Sequence, residues 1–173
     1  PISLLRAVAS IGEHGKMYVP HFLKEFKPIG AVGEEGSTSY FPERPGFGFD
    51  HPEPKQVPMT DEQYELMVKG MWGVVQGGGT AGSIRIAGFD IAGKTGTAQV
   101  ASLGKDVGGK KDHAWFVSFA PAYKPEIAVI ALIENVGFGG SHAAPAARGV
   151  YEAYIAKRYN GVPPADATVE PKL

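Results

Sequence analysis

Two incompatible structures can be read from one stretch of this 173-residue chain, Gly88-Phe89-Asp90-Ile91-Ala92-Gly93-Lys94-Thr95-Gly96-Thr97-Ala98-Gln99-Val100. Its beginning fits the pattern Gly-x4-Gly-Lys-Ser/Thr, in which a glycine-rich loop surrounds phosphate groups and a helix begins at the lysine. Residues 94–97 also fit a Lys-Thr-Gly motif followed by threonine, which serine acyl-transferring enzymes carry on a strand. The backbone conformation at Lys94 therefore separates two kinds of chemistry.

The residues after Lys94 favour a strand. Gly96 lowers the helix propensity, Thr97 is β-branched, and no apolar positions recur at helical spacing after the motif. The apolar run 129–133 ends in Glu134, as a magnesium-binding strand of a nucleotide hydrolase would, but any buried strand can end that way. The pattern also lacks the parallel βαβ crossover of nucleotide-binding folds. The nucleotide hydrolase stays as a minor alternative.

Composition restricts the remaining function classes. The chain is 43% hydrophobic, which is enough for the core of one domain. Seventeen basic and eighteen acidic side chains give a net charge of -1 without runs of like charge, so no nucleic-acid partner is expected. Cysteine is absent and the five histidines lack zinc-binding spacing, so we expect no metal site. The helical pattern begins directly at Pro1, and we therefore expect the chain to start inside a larger protein.

Apolar periodicity predicts three helices. The first runs from Pro1 to the glycines at 12–15, and the third runs from about Ala144, with Pro145 in its first turn, to Asn160-Gly161. The second begins at the capping box Thr60-Asp61-Glu62-Gln63 and ends at Gly77-Gly78-Gly79. Its methionines and its tryptophan are interpreted as core residues, not as a cofactor site. The apolar faces are predicted to contain Leu66, Met67, Gly70, Met71, Trp72, Gly73 and Val74 in the second helix and Ala147, Val150, Tyr151, Tyr154 and Ile155 in the third.

Short apolar runs predict the strands. Residues 114–120 and 127–133 are rich in β-branched and aromatic side chains, and a proline-containing turn joins them. Residues 83–87 alternate like a strand, and the Lys-Thr-Gly segment continues in an extended pattern to Val100. Because consecutive strands with short connections pair antiparallel, we expect an α+β fold, an α/β sandwich whose antiparallel sheet has helices on both faces.

The predicted domain covers residues 1–162. Within it, residues 22–26 look like a strand, residues 28–58 form a long irregular insertion rich in proline and glycine, and residues 103–111 form a hairpin loop. Residues 163–173 are predicted to be a disordered tail.

The Lys-Thr-Gly-Thr segment carries groups suited to acyl transfer. On a strand, the Lys94 ammonium can attract a substrate carboxylate, and the Thr95 and Thr97 hydroxyls add short-range donors. Gly96 lets a substrate backbone lie against the strand edge, and the Thr97 amide is a candidate donor to a developing oxyanion.

The surrounding sequence strongly resembles the C-terminal half of class B penicillin-binding proteins, in particular the elongation-type peptidoglycan transpeptidases. Residues 1–7, 14–16 and 19–21 extend the likeness, which weakens over residues 28–55 and after residue 160. The stretches that carry it are Ala92-Gly93-Lys94-Thr95-Gly96-Thr97-Ala98-Gln99-Val100, Lys111-Asp112-His113-Ala114-Trp115-Phe116-Val117-Ser118-Phe119-Ala120-Pro121 and Ile127-Ala128-Val129-Ile130-Ala131-Leu132-Ile133-Glu134-Asn135.

The resemblance implies an incomplete transpeptidase fold of the penicillin-binding protein and serine β-lactamase type. It implies that a serine in Ser-x-x-Lys attacks a D-Ala-D-Ala stem peptide, that Ser-x-Asn aids proton transfer, and that Lys-Thr-Gly lines the groove. An amine of a second stem peptide then resolves the acyl-enzyme and forms the cross-link. Lys94 and the Thr97 amide are thus the implied catalytic groups, residues 94–97 bind substrate, and no cofactor is required.

Only the third of these motifs is expected to function in this chain. Ser-x-Asn does not occur, and Ser102-Leu103-Gly104-Lys105 follows Lys94 in a glycine-rich loop instead of opening a helix upstream of it. We therefore expect the nucleophile before Pro1 and an isolated chain that is inactive. His113 is a further site candidate, although a structural role is favoured.

The resemblance also implies a location and partners. The complete protein is expected at the periplasmic or outer face of the bacterial inner membrane, anchored by an N-terminal segment outside this sequence. Its expected partners are peptidoglycan stem peptides, β-lactams, the N-terminal part of the same protein and membrane proteins of cell elongation. A serine β-lactamase, a β-lactam sensor and a non-catalytic interaction module that uses residues 28–58 remain as alternatives.

Overall fold

A computed structural model describes residues 1–21, 53–100 and 111–169 of the chain. The described residues form three helices, two antiparallel sheets and two short 3-10 turns. The helices are α1 (Ile2–Gly12), α2 (Asp61–Val75) and α3 (Gly139–Tyr159). The strands are β1 (Lys16–Met17), β2 (Lys55–Gln56), β3 (Ala92–Ala98), β4 (His113–Ala120) and β5 (Ile127–Ile133), and the 3-10 turns are Gly82–Ile84 and Ala165–Ala167.

The larger sheet has the order β3-β4-β5 and is antiparallel throughout. Lys94 lies opposite Val117, and Ser118 lies opposite Val129. The prediction of a strand at Lys94 is confirmed, because the residue is third in a seven-residue strand. A phosphate-binding loop would need a helix to begin there, so the geometry excludes that interpretation of the motif.

Helices cover both faces of this sheet, as predicted. One face packs with α1 and α2, and the other packs with α3. The first interface buries Val8, Val68, Ala92, Val117, Phe119 and Ala122, and the second buries Phe89, Ile91, Ala114, Phe116, Ala147, Tyr151 and Ile155 among others. The result is the expected α+β sandwich, with β4 between two strands and under helices on both sides.

Helix α2 begins as the sequence predicts, and Met71, Trp72 and Val74 pack on the core as expected, but its most deeply buried residues are ones that the prediction omitted. The Thr60 side chain accepts a hydrogen bond from the Gln63 amide and the Gln63 side chain returns one to Thr60, which completes the capping box. Val68 and Val75 are fully buried, whereas Leu66 is 72% exposed. Two positions along a helix are about 200° apart, so a face that buries Val68 cannot also bury Leu66.

Helix α3 begins at Gly139, before the predicted start at Ala144, and contains Pro145 in its interior. The prediction placed Pro145 in the first turn of the helix, so its start was too late. The additional turn packs against the strands, and only glycine allows this packing at the first residue of the helix. Val150 is 45% exposed and not part of the apolar face. The predicted stop is confirmed, since Asn160 takes a left-handed conformation with φ 52°.

Two further segments differ from the prediction. Residues 83–87 do not form a strand, because the 3-10 turn Gly82–Ile84 is followed only by a single bridge between Ile86 and Phe89. Residues 163–169 do not stand apart as a disordered tail. Ala167 is 2% exposed and its carbonyl accepts a hydrogen bond from the Asp90 amide, so core burial and backbone pairing fix this segment.

Several predictions concern residues outside the described ranges, namely the strand at 22–26, the insertion up to residue 52, the loop at 103–110 and the sequence Ser102-Leu103-Gly104-Lys105. At the end of the predicted insertion, β2 pairs with β1, with Lys16 opposite Gln56. No helix in the described ranges has the length and apolar character needed to span a membrane.

Candidate active site

The side chains of the Lys-Thr-Gly-Thr segment alternate between the two faces of the sheet. Lys94 lies opposite Val117, which belongs to the interface with α1 and α2. Thr95 lies opposite Phe116, which belongs to the interface with α3. Because directly opposed residues share a face, Lys94 lies on the α2 side and Thr95 and Thr97 lie on the α3 side.

The backbone of β3 alternates in the same way between its two edges. The carbonyls of Ala120 at the end of β4 and of Asp112 just before it accept hydrogen bonds from residues that flank β5, namely Glu126, Val136 and Gly137. Even-numbered residues of β4 therefore face β5, and odd-numbered ones pair with β3. The registered partners of the odd-numbered residues are Ala92, Lys94, Gly96 and Ala98. The N–H and C=O groups of Thr95 and Thr97 therefore point to the opposite edge of β3, with which no other described strand pairs.

Lys94 reaches this open edge. Its side chain is exposed, and its Nζ donates a hydrogen bond of 2.7 Å to the Thr95 carbonyl oxygen. The ammonium thus lies beside the outward backbone groups of the strand. An ammonium and aligned amide donors at one strand edge form a site that attracts an extended anionic ligand.

Thr95 is held by a residue that the sequence analysis did not single out. The Thr95 hydroxyl lies 2.7 Å from the hydroxyl of Thr80, in the connection between α2 and the first 3-10 turn. The same connection contacts α3, because a Cβ added at Gly140 would lie 2.2 Å from the Thr80 carbonyl oxygen. Neither contact is visible in the sequence, since both join residues far apart along the chain.

The first turn of α3 lies directly on the backbone of the motif. A Cβ added at Gly139 would lie 2.2 Å from the Trp115 carbonyl oxygen and 2.5 Å from the Gly96 carbonyl oxygen. Real Cβ atoms do not approach backbone that closely, so only glycine allows this packing. The first turn of α3 therefore borders β3 at Gly96, inside the Lys-Thr-Gly motif.

His113 lies away from Lys94, at the beginning of β4 and opposite Ala98. Ala98 lies four positions after Lys94 on the strand, a distance of about 13 Å. The Nδ1 atom of His113 accepts a hydrogen bond of 3.0 Å from the Asn135 amide, where φ is 58°. This contact joins the start of β4 to the turn after β5.

The described residues contain neither a grouped set of metal-binding side chains nor the other two motifs that the resemblance implies. Among them, no three His, Asp or Glu side chains are grouped to hold a metal ion. Neither Ser-x-x-Lys nor Ser-x-Asn occurs in the ranges 1–21, 53–100 and 111–169. Within those ranges, the chemistry is concentrated at the open edge of β3.

Residues 1–152 match the family model of the penicillin-binding protein transpeptidase domain, and the chain belongs to that family. Its curated relatives include two peptidoglycan D,D-transpeptidases named MrdA. The one from Haemophilus influenzae is 33% identical over 182 residues, with 99% of this chain and 26% of the relative covered. The one from Acinetobacter baumannii is 35% identical over 181 residues, with 98% and 24% covered.

Solved structures agree with this assignment. Pseudomonas aeruginosa PBP2 in complex with WCK 5153 is 36% identical with a TM-score of 0.54, over 70% of this chain and 25% of that one. The D,D-transpeptidase domain from Eggerthella lenta is 25% identical with a TM-score of 0.65, over 91% and 32%. Penicillin-binding protein A from M. tuberculosis, an imipenem acyl-enzyme complex, is 26% identical with a TM-score of 0.59, over 90% and 30%. The chain spans about a quarter of the length of the curated relatives it matches.

Proposed function

We propose that this chain supplies the Lys-Thr-Gly wall of a peptidoglycan D,D-transpeptidase active site, which cross-links stem peptides through a serine acyl-enzyme and is acylated by β-lactams. The observation that carries the proposal is the open edge of β3, where the outward amide of Thr97 lies two residues from that of Thr95. The serine nucleophile belongs to the N-terminal part of the same protein, and this chain is the C-terminal part of the transpeptidase domain.

The open edge binds substrate as an added strand. An extended stem peptide pairs its own backbone with the outward N–H and C=O groups of Thr95, and Gly96 carries no side chain that would obstruct it at the strand edge. The Lys94 ammonium attracts the terminal carboxylate of the stem peptide. A β-lactam carries a carboxylate and an amide in a comparable arrangement, so it occupies the same edge.

The Thr97 amide stabilises the oxyanion during acyl transfer. When the serine oxygen attacks the carbonyl carbon of the penultimate D-alanine, the carbonyl oxygen becomes negative and accepts the outward N–H of Thr97. The C–N bond then breaks, and the terminal D-alanine leaves with a proton as its amine. The amine of a second stem peptide attacks the ester, which releases the serine and forms the cross-link.

The complete protein acts at the extracytoplasmic face of the inner membrane, where peptidoglycan is assembled. An N-terminal anchor and membrane proteins of cell elongation are further parts of the proposal. They rest on the resemblance of the sequence to elongation-type transpeptidases.

Penicillin acylation of the full-length protein tests the proposal. Thr97→Pro removes the outward N–H together with the side-chain hydroxyl, whereas Thr97→Val removes the hydroxyl alone, and proline is tolerated at the outer edge of a sheet. We expect the second-order acylation rate constant to fall on the order of 10²-fold. Thr97→Val and Lys94→Ala should each lower it about tenfold or more, since each removes a polar contact to the ligand.

Lys124→Ala is the matched control, because Lys124 is an exposed lysine whose partner Asp166 lies in the C-terminal segment. Its acylation rate should equal that of the unaltered protein. The proposal is wrong if the unaltered protein is not acylated, or if Thr97→Pro and Lys94→Ala fold and react at the unaltered rate.

A further inference from the structure

Thr80 lies 15 residues before Thr95 in the sequence, and their two hydroxyl oxygens lie 2.7 Å apart. We propose that Thr80 is a positioning residue that turns the Thr95 hydroxyl into a hydrogen-bond donor toward the carboxylate of the ligand. The inference rests on the proposed function, because it concerns the ligand at the open edge of β3.

The backbone around Thr80 is fixed on both sides of the residue. The Gly79 amide donates to the Gly73 carbonyl at 3.2 Å, and the Ala81 amide donates to the Val74 carbonyl at 3.0 Å, so both neighbours are tied to the last turn of α2. Ala81 is fully buried. These backbone hydrogen bonds fix the position from which the Thr80 hydroxyl contacts Thr95.

The first turn of helix α3 also packs against Thr80 and Thr95. A Cβ added at Gly140 would lie 2.2 Å from the Thr80 carbonyl oxygen and 3.7 Å from the Thr95 methyl carbon Cγ2. The connection after α2, strand β3 and the first turn of α3 therefore meet at Thr95. A change of the Thr95 rotamer must move against at least one of them.

The number of protons on the Thr80 and Thr95 hydroxyls determines which of them can donate to a ligand. Each threonine hydroxyl has one proton and two acceptor lone pairs, and the bond between the two oxygens uses one proton. When Thr95 donates its proton to an anion, the shared bond must come from Thr80. The chain then runs from the Thr80 O–H to the Thr95 oxygen and from the Thr95 O–H to the carboxylate, and each bond polarises the next. Without Thr80, the Thr95 hydroxyl loses both this polarisation and its fixed orientation.

The test uses the full-length protein and two probes, benzylpenicillin and its methyl ester, which lacks the anionic carboxylate. Rapid-mixing kinetics separate the dissociation constant of the first complex from the acylation rate constant. Thr80→Val, which keeps the shape and removes the hydroxyl, should raise the dissociation constant for benzylpenicillin about three- to tenfold. Thr80→Ser keeps the hydroxyl and should restore tight binding. The methyl ester should bind Thr80→Val and the unaltered protein equally.

A double-mutant cycle distinguishes positioning from general support of the fold. Thr80→Val should have no additional effect once Thr95→Val has removed the hydroxyl that it positions. Additive losses, an equal loss with the methyl ester, or an unchanged dissociation constant in Thr80→Val would overturn the inference while leaving the proposed function intact. An unaltered protein that penicillin does not acylate would overturn both.

Discussion

Trp72 on α2 donates its indole N–H to Oδ2 of Asp90 over 3.0 Å, immediately ahead of the strand that carries Lys94. The same carboxylate oxygen accepts the Val169 amide at 3.3 Å. The backbone of Asp90 completes the junction, because its N–H donates to Ala167 and its C=O accepts from Ala122. One residue thereby ties the beginning of β3 to a helix, to the C-terminal segment and to the turn after β4.

Asp90→Ala should lower the stability of the domain by about 1–3 kcal/mol, because it removes a charged acceptor and leaves the half-buried indole N–H unpaired. Asp90→Asn should cost less, since the amide oxygen can still accept. Thermal unfolding of the full-length protein measures the difference. Asp166→Ala breaks only an exposed ion pair in the same C-terminal segment and is the control, which should leave the midpoint unchanged. Equal midpoints for Asp90→Ala and the control would contradict this role of Asp90.

A buried hydroxyl pair joins β4 to α3. The Tyr151 hydroxyl lies 2.7 Å from Ser118 Oγ, and both residues are fully buried. Burial raises the pKa of Tyr151, so its hydroxyl keeps its proton and can donate to Ser118, whose own proton lies toward the Val129 carbonyl at 3.4 Å.

Removing one member of this pair should destabilise the fold asymmetrically. Ser118→Ala leaves the Tyr151 hydroxyl buried without a partner, at a cost of about 1–3 kcal/mol, whereas Tyr151→Phe leaves Ser118 its carbonyl and should cost about 1 kcal/mol. The double variant should cost less than the sum of the two. Tyr123→Phe is the control, because no described residue pairs with that buried hydroxyl, and its removal should not lower the thermal midpoint. Additive losses in the double variant would contradict the coupling.

Local sequence signals predicted where helices and strands form better than they predicted which of their residues are buried. The capping box at Thr60 and the β-branched residues around Lys94 act through neighbours in the chain, so the start of α2 and the strand β3 could be predicted. The exposure of Leu66 and the early start of α3 at Gly139 depend on what the sheet presents to each helix. The contact between Thr80 and Thr95 also depends on tertiary packing, and no periodicity in the sequence predicts it.

Glu126 should make the free energy of unfolding of the domain depend on pH in the acid range. The Tyr159 hydroxyl, and to a lesser extent that of Tyr154 at 2.8 Å, donates to its carboxylate and lowers the pKa of Glu126, although desolvation opposes the shift. Because the folded pKa is depressed, the stabilisation is present above the ordinary glutamate pKa and is lost as the pH falls through the folded value.

Thermal midpoints across the acid range should therefore fall more steeply for the unaltered protein than for Glu126→Gln, whose side chain can accept the same hydrogen bonds without titrating. Glu152→Gln removes another surface carboxylate, paired with Arg148 at 2.8 Å, and controls for net charge. Parallel pH profiles for the unaltered protein and Glu126→Gln would show that the tyrosine contacts do not stabilise the charged form.

Two glycines of α3 should respond oppositely to the same substitution. A Cβ at Gly149 meets nothing within 4 Å, so Gly149→Ala should stabilise the helix by about 0.5–1 kcal/mol through its better helix propensity. A Cβ at Gly139 would meet the backbone carbonyls of Trp115 and Gly96 at 2.2 and 2.5 Å, which cannot move without displacing the strands. Gly139→Ala should therefore destabilise the domain by about 1–3 kcal/mol.

The Gly139 variant should also slow penicillin acylation of the full-length protein, because the helix turn that it displaces lies on the backbone of Gly96 inside the Lys-Thr-Gly motif. Gly149→Ala lies in the same helix and should acylate at the unaltered rate. Thermal midpoints and acylation rates measured on both variants separate the two effects. If the two alanine variants shifted stability in the same direction and reacted equally fast, α3 would not be seated on the motif as the structure places it.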